Sequence, residues 1–236
     1  MDIVYFVKEC ETNEELKYSL RSIEKNFTFD KVWFVGGCPI DLVPDGHIKV
    51  RQIQPTKWDK TYNLLKVICN NKDVSDDFYL FNDDFFIMKP WKYQTRYCGE
   101  LYKFIVDVEG RNKGISGYSQ RLRDQLKLLE QAGCTVKNYG VHTPLKVNKK
   151  KALETLKAFP GCPMFRSLYG NYNKIGGANK PDVKISSLDK MPSPDAELLS
   201  TTDKSFRVGK VGDYIRKQFP EPSRYEREVV KKNGSK

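Results

Sequence analysis

The apolar pattern begins at once: Asp2-Ile-Val-Tyr-Phe-Val7 is a near-continuous hydrophobic run that predicts a buried first strand. Leu16, Leu20 and Ile23 then recur at helical spacing over 11–26, with Thr12 or Asn13 available as the cap. A second strand is predicted over 31–35 and ends at Gly36-Gly37, and a weaker third over 48–53. Leu64, Leu65 and Ile68 mark the inner face of a helix over 58–69. The stretch 78–88 follows: four apolar residues from Phe78 to Phe81, then Asn82-Asp83-Asp84, then four more apolar residues from Phe85 to Met88. Strands alternating with helices in this way imply an α/β fold, Rossmann-like, with a mostly parallel central sheet and ligands at the carboxyl ends of its strands.

Beyond Pro90 the pattern changes. Gly110, Gly114 and Gly117 punctuate 107–118, which reads as a surface loop, and 119–133 is an amphipathic helix stopped by Gly133. His142 precedes Thr143-Pro144, so its backbone is expected to be extended, with a helix predicted over 147–159. Residues 182–186 form a candidate edge strand, and a helix over 208–219 leads into a basic tail. The expected organisation is one domain over 1–200, in halves 1–90 and 91–200, followed by a helix and tail over 201–236.

Composition narrows the possible classes. A chain of 236 residues can bury one large core or two small ones. Its mean hydropathy of −0.61 fits a soluble protein. No apolar run approaches the roughly 18 residues of a membrane span, and Met1-Asp-Ile-Val-Tyr5 lacks the basic region and apolar core of a signal segment, so a cytoplasmic location is expected. The six cysteines are widely spaced without a Cys-x-x-Cys, which argues against structural zinc and for reduced thiols. The net charge of +11 favours a polyanionic partner, although much of the excess lies in Lys149 to Lys151 and in the tail, where a solvated face would serve equally.

The candidate chemistry centres on Asp83 and Asp84. Adjacent carboxylates among aromatic residues are costly to desolvate unless a cation or several donors neutralise them, and a divalent ion gripping a diphosphate would do so. A strand-ending turn whose carboxylates face water is the alternative. Neither a Gly-x-Gly-x-x-Gly nor a P-loop is present to hold phosphate directly. Arg111, Lys113, Tyr118, Arg121 and Arg123 supply cations and a stacking ring suited to a nucleic-acid acceptor. His142 is a candidate ligand or base, and Arg166, among aromatic neighbours, suits a diphosphate or a buried ion pair.

Three stretches taken together, residues 14–26, Phe78-Tyr-Leu-Phe-Asn-Asp-Asp-Phe-Phe86, and His142-Thr-Pro with Phe165-Arg-Ser167, resemble the conserved regions of Stealth-type sugar-phosphate transferases. The chain also resembles small phage-encoded glycosyltransferases of the GT-A fold. The resemblance implies metal-binding roles for Asp83 and Asp84, with Mn²⁺ or Mg²⁺ as cofactor, and active-site roles for His142 and Arg166. The first Stealth region normally carries a Val-Asp-Gly-Ser-Asp-like segment after the opening strand, which is missing here, so glycosyl transfer from a nucleotide sugar such as a UDP-sugar is favoured over phosphotransfer. On this reading Lys8, Arg21, Lys57, Trp58, Asn63, Asn82 and Arg166 line the donor pocket, and Asp107 or His142 is the base. The favoured acceptor is a hydroxylated pyrimidine in phage DNA. The alternatives are transfer to a virion protein or a capsular or wall polysaccharide, and a non-enzymatic nucleic-acid-binding protein.

Overall fold

The computed structural model describes residues 1–161 and 164–227. The strands are β1 (Asp2–Val7), β2 (Val32–Gly36), β3 (Gly46–Lys49), β4 (Asp77–Phe81), β5 (Phe85–Ile87), β6 (Arg96–Tyr97), β7 (Leu145–Asn148), β8 (Ala178–Asn179), β9 (Lys184–Ile185) and β10 (Leu198–Thr201). The helices are α1 (Glu14–Asn26), α2 (Lys57–Asn70), α3 (Leu101–Asn112), α4 (Gly117–Gln131), α5 (Lys149–Ala158), α6 (Phe165–Tyr172), α7 (Asp203–Val208) and α8 (Lys210–Gln218). The chain is α/β and its central sheet is mostly parallel. It divides into two compact units, each discontinuous in sequence. The first holds Asp2–Gln52, Asn82–Trp91 and the chain from Lys184 on, and the second holds Ile53–Phe81 and Lys92–Val183. These boundaries differ from a division at residue 90, and the described part of 201–236 belongs to the first unit.

In the first unit β1 pairs in parallel with β2, Ile3 opposite Val32 through Val7 opposite Gly36, and β2 pairs in parallel with β3. Their side chains are buried along all of β2 and nearly all of β1, which explains the unbroken apolar runs. Gly36 turns the chain at the end of β2 with φ of 110°, and a β-carbon there would strike the Val7 carbonyl. The third strand starts earlier than its apolar residues suggest, because Gly46 lets the backbone lie directly against the Trp33 ring. β5 and β10 pair antiparallel, with β9 parallel to β10. Over them Phe86, Leu199, Phe206, Val211, Ile215 and Phe219 form a core cluster, with the Phe86 and Phe206 rings stacked at 5.6 Å. The helix expected over 208–219 is two helices hinged at Gly209: Thr202 and Ser205 close a capping box on α7, and α8 presents Val211 and Ile215 inward.

In the second unit β4 and β7 pair antiparallel, Asp77 opposite Asn148 through Leu80 opposite Leu145. The helix predicted from 147 starts at Lys149, because Leu145–Asn148 is strand and the Asn148 side chain accepts the Lys151 N–H as the cap. The largest correction concerns 107–118. Leu101, Ile105 and Val108 follow helical spacing and pack on Leu122, Leu129, Phe159 and Leu168, so α3 runs through Asn112 and only the link before the Ser116 cap of α4 is loop. Gly110 sits on the open side of that helix. Among the described residues no helix is long and apolar enough to cross a membrane, and the described cysteines are free, with Cys162 outside that set.

Candidate functional site

Asn82, Asp83 and Asp84 lie in the first unit and lead into β5, where the Phe85 N–H returns to the Asn82 carbonyl at 3.3 Å. Asp83 Oδ2 accepts a hydrogen bond from the Asn13 side-chain amide at 2.9 Å, while Asn13 Oδ1 accepts the Leu16 N–H at 3.0 Å and caps α1. One asparagine thus fixes both a helix start and a carboxylate. Burial pushes the Asp83 carboxyl up and the Asp84 charge adds to this, against the Asn13 bond and the Lys8 charge.

Asp84 is buried and faces other partners. Its Oδ2 accepts from Lys184 Nζ at 2.9 Å and from Ser200 Oγ at 2.8 Å, so β9 and β10 supply the donors that desolvation demands. Glu15, in the first turn of α1, accepts from Thr201 Oγ1 at 2.6 Å. Its carboxyl is pushed up to about 7, first by burial and then by the charges of Asp83, Asp84 and Asp203, against the Thr201 bond.

A cavity of about 530 Å³ opens beside these groups, lined by Lys8, Glu9, Cys10, Asn13, Glu14, Glu15, Asp83, Asp203, Phe206 and Arg207 among others. Its lining carries more carboxyls than cations, so negative charge accumulates around a half-buried Asp83. Among the described residues no group of three or more His, Cys, Asp or Glu is arranged to hold a metal ion. A caged resident metal is therefore not what these side chains fit. They do fit a hard divalent cation that arrives with phosphate oxygens, because Mg²⁺-like ions are commonly bound by one or two carboxylates plus the ligand's own phosphates.

The raised Glu15 carboxyl has a consequence for stability. With a folded value of about 7 against an ordinary 4.5, the folded state holds the proton more tightly than the unfolded state does. The relative stabilisation is complete below the ordinary value and is lost as pH rises through about 7. Glu15→Gln should accordingly unfold later than the native chain above that pH, by about 1–2 kcal/mol after allowing for solvent screening, with the gap closing in acid. Urea titrations across pH measure this; a constant gap would contradict it.

The residues expected to line a donor pocket separate. Lys8, Asn82, Asp83 and Asp84 belong to the first unit, and of these Lys8 and Asp83 line the cavity. Arg21 is also in the first unit but is committed elsewhere: its Nε and Nη2 donate to the Glu226 carboxylate at 2.7 Å each, and Nη1 donates to the Phe219 and Pro220 carbonyls. It is a structural clamp on the C-terminal segment. Lys57, Trp58 and Asn63 lie on α2 in the second unit, where Arg121 and Lys57 sit over the Trp58 ring at 4.4 and 4.9 Å. That indole is occupied by cations of its own chain. Of the other acceptor-side cations, Arg123 makes a two-bond pair with Glu109 at 2.5 and 2.6 Å, while Arg111, Lys113 and Tyr118 stay exposed. Asp107 is exposed on α3.

His142 and Arg166 meet in the second unit. Arg166 donates to the carbonyls of Val141 and Thr143 at 2.7–2.8 Å and so holds the backbone on both sides of His142. This replaces the diphosphate role expected for Arg166. Asp182, read from the sequence only as part of an edge strand, bonds the His142 ring. Glu15, Lys184, Ser200 and Thr201 were likewise not singled out, since a first-turn glutamate looks like a complement to the helix dipole and the rest lie on short strands far along the chain. No protein-family model matches the chain, and no characterised protein gives a significant match to it.

Proposed function

We propose that the chain is a glycosyltransferase with a GT-A-like fold that uses a nucleotide sugar and a divalent cation. The observation that carries this reading is the half-buried Asp83 in a net-negative cavity beyond the end of β1, beside Lys8 and Arg207. Such a lining repels free phosphate but accepts a diphosphate that brings a cation with it. Ligands of open α/β sheets bind at the carboxyl ends of the strands, which is where Lys8 follows β1.

Asp83 would hold the Mn²⁺ or Mg²⁺ ion together with the diphosphate oxygens, and the bound ion supplies the positive charge that eases departure of the diphosphate. Asn13 keeps Asp83 turned to the cavity, and Asp84, neutralised by Lys184 and Ser200, anchors the turn that presents it. Lys8 and Arg207 contribute charge for phosphate oxygens. The acceptor we favour is a hydroxylated pyrimidine in DNA, on the strength of the +11 net charge and the exposed Arg111 and Lys113.

The test is to incubate the full chain with UDP-glucose, UDP-GlcNAc or GDP-mannose, with and without Mn²⁺, in the presence of hydroxymethylated DNA. Cation-dependent release of nucleoside diphosphate from one donor, with label passing to the DNA, is expected. No release and no heat of binding for any donor would refute the donor reading, and release with label on polysaccharide or protein alone would refute the acceptor.

A further inference from the structure

The second unit fixes one imidazole with unusual thoroughness. Asp182 Oδ2 accepts from His142 Nδ1 at 2.7 Å, and Asp182 Oδ1 accepts the His142 backbone N–H at 2.9 Å. Arg166 holds the carbonyls immediately before and after His142. Burial opposes ionisation of Asp182, but the His142 ring bond and charge and the backbone N–H groups of His142 and Val183 outweigh it and hold this carboxyl below its usual range. An ionised carboxylate only accepts, so Nδ1 carries the proton and the lone pair of the neutral ring is on Nε2. Among the described residues no hydrogen bond reaches Nε2, and the ring is 32% exposed. Two charged side chains thus hold a histidine whose reactive nitrogen is left for something outside the chain.

What surrounds it indicates the ligand's chemistry. Tyr118, at the start of α4, is 36% exposed. Its phenol is pushed up by burial first and then by the Asp182 charge, with Arg111 opposing, so Asp182 and Arg111 both lie within electrostatic reach of this ring. Arg111 is exposed at the end of α3. The cluster therefore offers a flat ring for stacking, a guanidinium for phosphate and a nitrogen lone pair for a hydroxyl proton.

We propose that His142, oriented by Asp182 and flanked by Tyr118 and Arg111, forms a site for a hydroxyl-bearing nucleotide of a single or flipped-out nucleic-acid strand, with the hydroxyl donating to His142 Nε2. Asp182 and Arg166 are positioning residues, and Tyr118 and Arg111 touch the ligand. The proposal takes only its choice of a nucleic-acid ligand from the reading above, and it needs no nucleotide sugar to test.

The experiment is nitrogen-detected imidazole NMR on the full chain at about pH 8, where an ordinary imidazole is neutral. His47 and His142 are the only histidines, so substitution of His47 identifies the signals. The native His142 should be in the Nδ1–H form alone, and Asp182→Asn should give mixed tautomers. A single-stranded oligonucleotide carrying hydroxymethylcytosine should shift the Nε2 signal, while its plain-cytosine counterpart should bind without doing so. Tyr118→Ala and Arg111→Ala should each weaken oligonucleotide binding at least about fivefold, the low end for loss of a stacked base. A native ring in the Nε2–H or mixed form would overturn the oriented imidazole. Binding unchanged in both surface variants, or a Nε2 shift produced by an anionic polysaccharide and not by the oligonucleotide, would overturn the nucleic-acid site even if the tautomer is as expected.

Discussion

Replacing Asp83 by Asn should lower cation-dependent cleavage of the nucleotide sugar by about 10²–10³-fold in kcat/KM, the scale seen when one element of transition-state charge stabilisation is removed. The amide keeps the shape and the contact to Asn13, so the fold should be unaffected and the loss should appear in chemistry alone. Asp84→Asn should behave differently. It leaves Lys184 as a part-buried ammonium without its carboxylate and weakens the Ser200 bond, so its first effect is on stability and only its second on turnover. Kinetics of both variants beside their denaturation curves separate the roles: equal activity losses with unchanged stability would put Asp84, and not only Asp83, against the ligand.

The second large effect concerns the C-terminal segment. Arg21 and Glu226 are each 11% exposed and pair through two 2.7 Å bonds, and Arg21 also stacks on the Tyr18 ring at 4.6 Å. Burial works against the Glu226 charge, but the Arg21 bond and charge and the Ser223 backbone bond outweigh it and hold the carboxyl below its usual range. Arg21→Ala strands that carboxylate and leaves the Phe219 and Pro220 carbonyls without this donor, which should cost about 3–5 kcal/mol. Arg21→Lys should recover only part of it, since an ammonium cannot reproduce the two-pronged geometry. Urea unfolding measures both. A loss under about 1 kcal/mol would mean the pair behaves like an exposed salt bridge.

How much of this was legible in the residues depends on what each element uses as its signal. β1, α1, β2, α2 and β4 announce themselves by unbroken apolar runs or i, i+4, i+7 spacing, and burial follows those patterns closely. α3 was hidden by glycines: Gly110 and Gly114 suggested a loop, yet Leu101, Ile105 and Val108 gain enough by burial in the helix cluster to override the weak local propensity. The Gly209 break between α7 and α8 was missed for the opposite reason, because apolar spacing continues across it.

The site was legible in its centre and not in its surroundings. An Asn-Asp-Asp run between aromatic strands needs neutralising partners, and that demand can be read directly. That Asn13, Lys184, Ser200 and Thr201 meet it cannot, because each comes from a distant stretch whose local pattern says only cap or short strand. The same holds for Asp182 on His142. Arginines misled in a consistent way: Arg21, Arg121, Arg123 and Arg166 look like ligand-binding cations in one dimension, yet a carboxylate, an indole or backbone carbonyls of the same chain engage each of them.

Titration calorimetry of the native chain and Asp83→Asn with Mn²⁺, with UDP or GDP, and with both together bears most directly on the cavity. The arrangement of carboxyls predicts little binding of Mn²⁺ or of nucleotide alone, strong mutual enhancement when both are present, and loss of that enhancement in Asp83→Asn. Nucleotide binding that is equally tight without the cation, or cooperative binding that survives in Asp83→Asn, would contradict it.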